Sequence, residues 1–180
     1  MNCRICQKES SQFETFQVRE MMMGTRDQFN YFKCNQCGCL QIDQVPENLG
    51  DYYKSNYYSF EVRKKSPLKR WARSTRIRMA LEHKNLSASS FKILGGVPPY
   101  IEWLKIADVN FDSRVLDVGS GAGELLIDMA QVGFKNLAGI DPFIDKDREF
   151  APGCFIFKRD LMDHEGIYDL IMFNHSLEHV

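Results

Sequence analysis

The sequence has 180 residues, of which 44% are hydrophobic and 26% are charged. This composition is typical of a soluble globular chain with one or two small domains. No stretch approaches the ~20 uncharged apolar residues of a membrane helix, and the start, MNCRICQKES, has no apolar signal-peptide core. We therefore expect a cytoplasmic protein with no membrane partner, in which the six cysteines stay reduced.

The formal net charge of -1 hides an uneven distribution of charge. Residues 1–60 carry 6 basic and 7 acidic side chains, residues 61–84 carry 9 and 2, and residues 85–180 carry 8 and 15. This pattern predicts a cysteine-bearing module over 1–60, a basic helical connector over 61–97 and an acidic domain over 98–180.

Two C-x-x-C pairs stand in the N-terminal region: Cys3, Cys6, Cys34 and Cys37. Each pair can wrap a metal ion with two thiolates, so the four together supply the tetrahedral ligands of a closed structural zinc site. The strand-like runs FETFQV and FNYFKC lie between the pairs and suggest a small zinc ribbon, whose apolar core is too small to fold without metal. The alternative is a set of ordinary buried thiols. Cys39 and Cys154 fall outside the pattern, and we expect them to be bystanders.

An aromatic segment, DYYKSNYYSF, covers residues 51–60. Aromatic rings with hydroxyl tips suit stacking and hydrogen bonding to a polar ligand such as a sugar or a base. Packing of these rings against a neighbouring part of the protein explains them about equally well. The candidate substrate contacts are Tyr53, Tyr57 and Tyr58.

The basic segment VRKKSPLKRWARSTRIRMALEHK has apolar residues at intervals near three and four: Leu68, Trp71, Ile77, Ala80 and Leu81. From Pro67 this spacing predicts an amphipathic helix with a basic outer face. A solvated helix face is a better explanation of the charge than a nucleic-acid arm, because the whole chain lacks the basic excess of a dedicated nucleic-acid binder. We therefore expect no nucleic-acid partner.

A second predicted helix, PYIEWLKIADV, leads to RVLDVGSGAGE at residues 114–124. The first part of this stretch has the composition of a buried parallel strand, and Glu124 begins a run with helical spacing. Strand, glycine loop and helix form a phosphate- or nucleoside-binding arrangement, in which a ligand approaches the backbone without Cβ atoms in the way. The dinucleotide fingerprint G-x-G-x-x-G/A is not met, because Glu124 occupies its sixth position.

The G-x-G-x-G loop, with Asp117 before it, resembles motif I of class I S-adenosylmethionine-dependent methyltransferases. Strand-like runs follow in this family's order: LAGIDP with Asp141, CFIFKRD with Asp160, and YDLIMFN ahead of a predicted helix start. The resemblance implies that Asp141 holds the ribose hydroxyls, that Asp160 lies near the adenine amino group and that residues 174–176 lie closest to the methyl group. The implied cofactor contacts are Asp117, Gly119, Ser120, Gly121, Gly123, Asp141, Pro142, Asp160, Leu161 and Asn174.

The whole chain is similar to the zinc-containing methyltransferases of bacterial sugar and polysaccharide biosynthesis, including nucleotide-sugar C-methyltransferases. The cysteine pairs, the aromatic segment, the connector and the run HSLEHV carry this likeness. It implies that the N-terminal module helps to bind a sugar and that His175 or His179, with His179 favoured, acts as the general base when the acceptor is a carbon next to a carbonyl. The simpler explanations are that Asp160 only caps a helix and that the histidines are ordinary surface residues.

These features predict an α/β protein: a Rossmann-like parallel sheet, truncated after the fourth strand and preceded by the zinc ribbon. Such a sheet normally continues past its fourth strand. We therefore expect LIMFN to form an apolar edge that drives association and the chain to be weakly active or inactive alone. The expected reaction is S-adenosylmethionine-dependent methyl transfer to a small polar acceptor, a nucleotide-sugar or glycan precursor, with structural Zn²⁺. Two alternatives stay open. The chain could be an RNA methyltransferase that uses the zinc ribbon and the basic helix as its substrate arm, or a non-catalytic nucleoside-binding protein.

Overall fold

The computed structural model divides the chain into two compact units, Met1–Lys54 and Ser55–Val180. The residues that it describes are 1–9, 12–53, 67–83 and 95–179. Tyr57, Tyr58, the side chain of His179 and the predicted boundary at residue 60 lie outside the described residues. The predicted domain limits therefore stay predictions.

The first unit contains a three-stranded antiparallel sheet. Strand β1 (Glu14–Arg19) pairs with β2 (Gln28–Lys33), and β2 pairs with β3 (Leu40–Ile42). Strands β1 and β2 correspond to the two predicted strand-like runs. The sequence did not predict β3, because a strand of three residues is too short to show an alternating pattern.

The interior of the first unit is small and is built around cysteines. Phe13 and Phe32 are buried and stack with ring centroids 5.0 Å apart. They share their cluster with the buried Cys3 and Cys34. So small an apolar cluster gives little hydrophobic stabilisation, which agrees with the expectation that the module depends on its cysteines.

The second unit contains a five-stranded sheet in the order β6-β7-β5-β4-β8. Its strands are β4 (Arg114–Val118), β5 (Asn136–Ile140), β6 (Arg148–Ala151), β7 (Cys154–Phe157) and β8 (Leu170–Phe173). Strands β4, β5, β7 and β8 are mutually parallel, and β6 runs antiparallel to β7. The α/β class and the four predicted parallel strands are thus confirmed, whereas β6 was not predicted. Within the described residues β8 lies at one edge of the sheet.

The parallel strands end level with one another. Val118 of β4 is in register with Ile140 of β5 and Phe173 of β8, and Ile140 is in register with Phe157 of β7. The residues that follow these four positions therefore emerge side by side at the carboxyl edge of the sheet. Ligands of open parallel sheets bind at this edge.

The described residues of the second unit form three α-helices: α1 (Pro67–Glu82), α2 (Tyr100–Ile106) and α3 (Glu124–Val132). They contribute buried side chains such as Ile77, Ile101 and Leu126 to one core with the strand residues Val115 and Ile156. In the part of the chain that the structure describes, no helix combines the length and the hydropathy needed to span a membrane.

The predicted apolar face of α1 is wrong in part. Leu68 and Trp71 are 75% and 67% exposed, whereas Ile77 and Ala80 are buried. Leu68 precedes Ile77 by nine residues, which at about 3.6 residues per turn places the two on opposite sides of the helix.

The predicted basic outer face of α1 is also only partly correct. Arg73 forms an ion pair of 2.7 Å with Asp128 of α3. Arg78 donates to the carbonyl oxygen of Val132 at 2.8 Å and lies over the ring of Phe111. These arginines therefore hold α1 against α3, and only part of the positive charge faces solvent.

Candidate functional site

The glycine loop begins at the carboxyl end of β4. Gly119, Gly121 and Gly123 all have left-handed backbone conformations, with φ of 72°, 52° and 72°. The N–H groups of Gly119 and Ser120 both donate to the carbonyl oxygen of Ile140, at 2.9 and 3.1 Å. Residues with a Cβ rarely adopt this conformation, so the alternating glycines are required by the shape of the loop.

Two of these glycines also leave space for neighbouring side chains. A Cβ on Gly119 would lie 2.5 Å from the Cβ of Ser176, and a Cβ on Gly123 would lie 2.2 Å from Cδ1 of Ile156. Ser176 is buried and donates its hydroxyl to the carbonyl oxygen of Val118. The segment after β8 therefore packs directly on the glycine loop.

Asp141 follows β5 and is tied to the glycine loop. Its carboxylate accepts hydrogen bonds from the N–H groups of Gly121 and Phe143, both at 2.9 Å. The residue is buried. The predicted ribose-binding acid is thus held in a fixed orientation at the carboxyl edge.

Asp117 lies inside β4, two residues before the loop. It is only 3% exposed, and its Oδ1 atom has no hydrogen-bond partner among the described residues. Burial, and secondarily the charge of Asp141, raises the pKa of Asp117 to about 7. A buried carboxylate oxygen without a partner is costly, and a positively charged ligand at this edge would lower that cost.

The remaining predicted cofactor contacts occupy different environments. Asp160 caps a short 3-10 turn, Leu161–Asp163, by accepting from the N–H of Met162 at 3.2 Å, so the simpler explanation of this residue applies at least in part. Leu161 is partly buried, and Pro142 and Asn174 are exposed. All of them follow strand ends at the carboxyl edge.

The predicted general bases follow β8. His175 is exposed and has a left-handed backbone with φ of 57°, which is uncommon for a residue other than glycine. A 3-10 turn, Leu177–His179, occupies the predicted helix start.

Sequence reasoning missed Gly139, which shapes this site. A Cβ on Gly139 would lie 2.5 Å from Oγ of Ser120, so the glycine in β5 makes room for the loop above it. The hydroxyl of Ser120 is itself buried and has no partner among the described residues. The sequence did contain a signal for this role, because Gly139 stands two residues before Asp141, the acid that follows β5.

The four predicted metal ligands come together in the first unit. The sulfur atoms of Cys3, Cys6, Cys34 and Cys37 all lie within 4.8 Å of one another. The Cys3–Cys37 and Cys6–Cys34 sulfur pairs are each 3.6 Å apart. Ligands about 2.3 Å from a tetrahedral zinc ion would be about 3.8 Å apart, so this donor set is compatible with zinc.

The two cysteine turns have the same backbone design. Gln7 and Gly38 donate their N–H groups to the carbonyl oxygens of Cys3 and Cys34, each at 2.9 Å. Both donors have a left-handed backbone, with φ of 58° and 74°. The repeated geometry turns all four thiols toward a common centre.

The thiols of the cluster differ in acidity. The backbone N–H of Cys6 lowers the pKa of Cys3 to about 6. For Cys37 the N–H of Cys39 lowers the pKa, but burial and the neighbouring thiols outweigh it and raise the pKa to about 12. Burial and hydrogen bonds among the thiols therefore keep a proton on Cys37, and a bound cation would displace it.

A comparison with known protein families decides the class of the second unit. The methyltransferase domain family matches residues 70–180, which is more than half of the chain. The chain belongs to the methyltransferase domain family. Membership implies the use of S-adenosylmethionine as methyl donor. No solved structure gives a significant match to this methyltransferase chain.

The relatives carry the name EEF1A lysine methyltransferase 2. The human protein is 29% identical over 70 residues, which are 39% of this chain and 26% of the relative. The zebrafish (Danio rerio) protein is 39% identical over 41 residues, which are 23% of this chain and 18% of the relative. The methyltransferase chain therefore aligns with about a quarter or less of the length of these relatives.

The residues at the carboxyl edge fit the implied cofactor. S-adenosylmethionine carries positive charge on its sulfonium and amino groups, and Asp117 offers a buried carboxylate oxygen without a partner. The left-handed glycines keep Cβ atoms away from the edge, and Asp141 lies beside them. These residues thus offer both the negative charge and the close backbone approach that suit a nucleoside sulfonium ligand.

We expect Gly119→Ala to weaken S-adenosylmethionine binding at least tenfold, measured by calorimetric titration. The added methyl group would meet Ser176 at 2.5 Å in a left-handed backbone, so the loop must shift. Gly50→Ala is the matched control, because a Cβ there meets no atom within 4 Å. Equal affinities of the Gly119→Ala variant and the unmodified chain would contradict this description of the loop.

Proposed function

We propose that this chain provides the S-adenosylmethionine-binding part of a methyltransferase whose acceptor is a nucleotide-sugar or glycan precursor. The strongest support is the pair of buried acids, Asp117 and Asp141, beside a loop of left-handed glycines. A dinucleotide site is less suitable, because Glu124 stands where that fingerprint needs a small residue.

Each part of the carboxyl edge has a task in this proposal. Asp141 accepts the ribose hydroxyls, since the N–H groups of Gly121 and Phe143 already orient its carboxylate. Asp117 favours the positively charged end of the cofactor, and Asp160 and Leu161 flank the adenine. The bound cofactor supplies an activated sulfonium methyl group. The protein then has to hold the acceptor in line and exclude water.

His175 is the candidate general base that the structure describes, since the side chain of His179, which the sequence favours, lies outside the described residues. It is exposed directly after β8, and its left-handed backbone precedes Ser176, which packs on the glycine loop. Histidine exchanges protons near neutral pH, as removal of a proton from a carbon next to a carbonyl requires. His179 is the second candidate.

The sugar acceptor is supported by the likeness of the cysteine module, aromatic segment and HSLEHV run to sugar-modifying methyltransferases. Tyr53 is the described member of the proposed tyrosine contacts and is partly buried. A protein lysine is the second candidate acceptor, because the relatives are named as lysine methyltransferases. Their similarity extends over 39% of this chain or less and over about a quarter or less of their own length, which is too little to carry their acceptor over to this chain.

We further propose that the four clustered cysteines hold Zn²⁺. Four sulfur ligands close the coordination sphere, so the ion would organise the module and take no part in methyl transfer.

The acceptor is tested with the 180-residue chain saturated with S-adenosylhomocysteine, the product form of the cofactor. We expect saturable calorimetric binding of a nucleotide-linked 4-ketohexose and no binding of a lysine peptide or a short RNA. Binding that is confined to the lysine peptide would favour the second acceptor. Tight RNA binding that falls steeply with salt would favour the RNA alternative.

The base is tested by single-turnover methyl transfer with protein in excess, an assay that detects even the weak activity expected of the chain alone. We expect His175→Ala to lower the rate about 10²-fold or more, the usual contribution of general base catalysis. His83→Ala is the matched control, since His83 is an exposed histidine at the end of α1. If His175→Ala and His83→Ala react equally fast, His175 is not the base.

A further inference from the structure

The antiparallel strand β6 brings a charged side chain to the glycine loop. Arg148 begins β6 and is paired in register with Ile156 of β7. Paired residues on neighbouring strands project to the same side of a sheet. Ile156 and Arg148 accordingly both approach Gly123: a Cβ on Gly123 would lie 2.2 Å from Ile156 and 3.8 Å from the guanidinium of Arg148.

The guanidinium of Arg148 forms a hydrogen bond to the loop itself. Its Nη2 atom donates to the carbonyl oxygen of Ala122, a buried residue between the second and third glycines. The other loop bonds are made by backbone groups and by Asp141: Gly119 and Ser120 donate to Ile140, Gly121 donates to Asp141, and Gly123 donates to the carbonyl oxygen of Ser120 at 2.8 Å. Arg148 thus adds a side-chain hydrogen bond to the carbonyl group of Ala122, next to the backbone bonds of Gly123.

The guanidinium of Arg148 lies near the N-terminus of α3, where a positive charge does not stabilise the helix. Helix α3 begins at Glu124 with Gly123 as its N-cap and no side-chain cap hydrogen bond. The N-terminus of a helix carries partial positive charge, so a nearby cation is repelled. If the residue at position 148 only stabilised α3, it would be neutral or acidic. The arginine at this position therefore favours a role in shaping the glycine loop.

We propose that Arg148 is a positioning residue that holds the peptide between Ala122 and Gly123 in the conformation required for cofactor binding. The proposal rests on the proposed function, because it concerns the same S-adenosylmethionine site. Arg148 acts through the loop, because its guanidinium bonds to the carbonyl oxygen of Ala122. Nothing in the G-x-G-x-G motif reveals this residue, since it lies 25 positions after Gly123 on a strand that the sequence did not predict.

The test compares Arg148→Met, Arg148→Lys and Arg148→Gln with the unmodified full-length chain. We expect Arg148→Met to weaken S-adenosylmethionine binding about tenfold or more by calorimetry. Arg148→Lys, which keeps a donor and the charge, should recover part of the affinity. Arg114→Met is the matched control, because Arg114 is a half-exposed arginine with a 4.0 Å ion pair to Asp169 at the opposite end of β4.

A second readout uses the chain without ligand. Amide hydrogen exchange at residues 119–123 should become faster in Arg148→Met, while exchange in β1 and β2 and the thermal midpoint stay close to those of Arg114→Met. If Arg148→Met does not fold, Arg148→Gln takes its place in both measurements, since it keeps a donor and removes the charge.

The outcomes separate the two proposals. Loss of affinity together with faster loop exchange supports the role of Arg148. Unchanged affinity and unchanged loop exchange overturn it, even if the unmodified chain binds S-adenosylmethionine well. Failure of the unmodified chain to bind S-adenosylmethionine contradicts the proposed function instead, and the exchange rates of the loop still decide the role of Arg148.

Discussion

Replacement of Asp117 by asparagine should stabilise the second unit at pH 8 and weaken S-adenosylmethionine binding. Burial raises the pKa of Asp117 in the folded chain from 3.8 to about 7, so the folded state binds this proton more tightly than the unfolded state. The stability that the proton contributes is fully present below pH 3.8 and is lost as the pH rises to about 7. At 1.36 kcal/mol per pKa unit the loss is about 4 kcal/mol, and asparagine avoids it because its amide does not ionise.

Urea unfolding followed by tryptophan fluorescence measures this effect, since Trp71 and Trp103 both lie in the second unit. We expect the stability gained in Asp117→Asn to grow between pH 4.5 and pH 8. Asp112→Asn is the control, because Asp112 forms an ion pair of 2.7 Å with Lys135 on the surface, where such pairs contribute little. If Asp117→Asn raises the free energy of unfolding by the same amount at both pH values, burial does not raise the pKa of Asp117 in the folded chain.

The same variant tests what the buried charge does for the cofactor. A cationic ligand favours the ionised carboxylate, so S-adenosylmethionine should bind the unmodified chain more tightly at pH 8 than at pH 6 and release a proton. Asp117→Asn should bind at least tenfold more weakly at pH 8 and lose this pH dependence. If Asp117→Asn binds S-adenosylmethionine as tightly as the unmodified chain does, Asp117 does not contribute to the cofactor site.

Removal of zinc should unfold the cysteine module and leave the methyltransferase unit folded. The first unit has only a small apolar cluster, and Cys3 and Cys34 belong to it. Metal binding would therefore supply much of its folding free energy. After chelation we expect amide exchange in β1 and β2 to approach that of an unfolded chain, with tryptophan fluorescence nearly unchanged.

Single substitutions sharpen this prediction. Cys34→Ser should lower zinc affinity at least a hundredfold and reproduce the effect of chelation. Cys39→Ser is the matched control, because Cys39 follows the second turn but lies outside the cluster. Protected amides in β1 and β2 after complete metal removal under reducing conditions would contradict a metal-dependent module.

The sequence predicted which residues the glycine loop, the acids at the carboxyl edge and the cysteine cluster bring together. The glycine loop, the acids at strand ends and the paired cysteines are short patterns whose geometry depends on a few neighbouring residues. Chain order and strand spacing then suffice to place Asp117 and Asp141 at one edge, because parallel strands end together.

The sequence did not predict features that depend on contacts between residues far apart along the chain. Residue spacing places Leu68 and Ile77 on opposite sides of α1 but does not show which side packs against the rest of the unit, and only Ile77 is buried. Strand β6 is four residues long and lacks an apolar pattern, so the approach of Arg148 to the loop had no local signal. The contact of Ser176 with Gly119 likewise joins residues 57 positions apart.

Calorimetric titration of the chain with S-adenosylmethionine and, separately, with NADH tests the cofactor assignment most directly. We predict saturable binding of S-adenosylmethionine, no detectable binding of NADH, and at least a tenfold loss of affinity in Asp141→Ala, which removes the carboxylate bonded to Gly121. Preferential binding of NADH, or affinity for S-adenosylmethionine that Asp141→Ala leaves unchanged, would contradict the assignment.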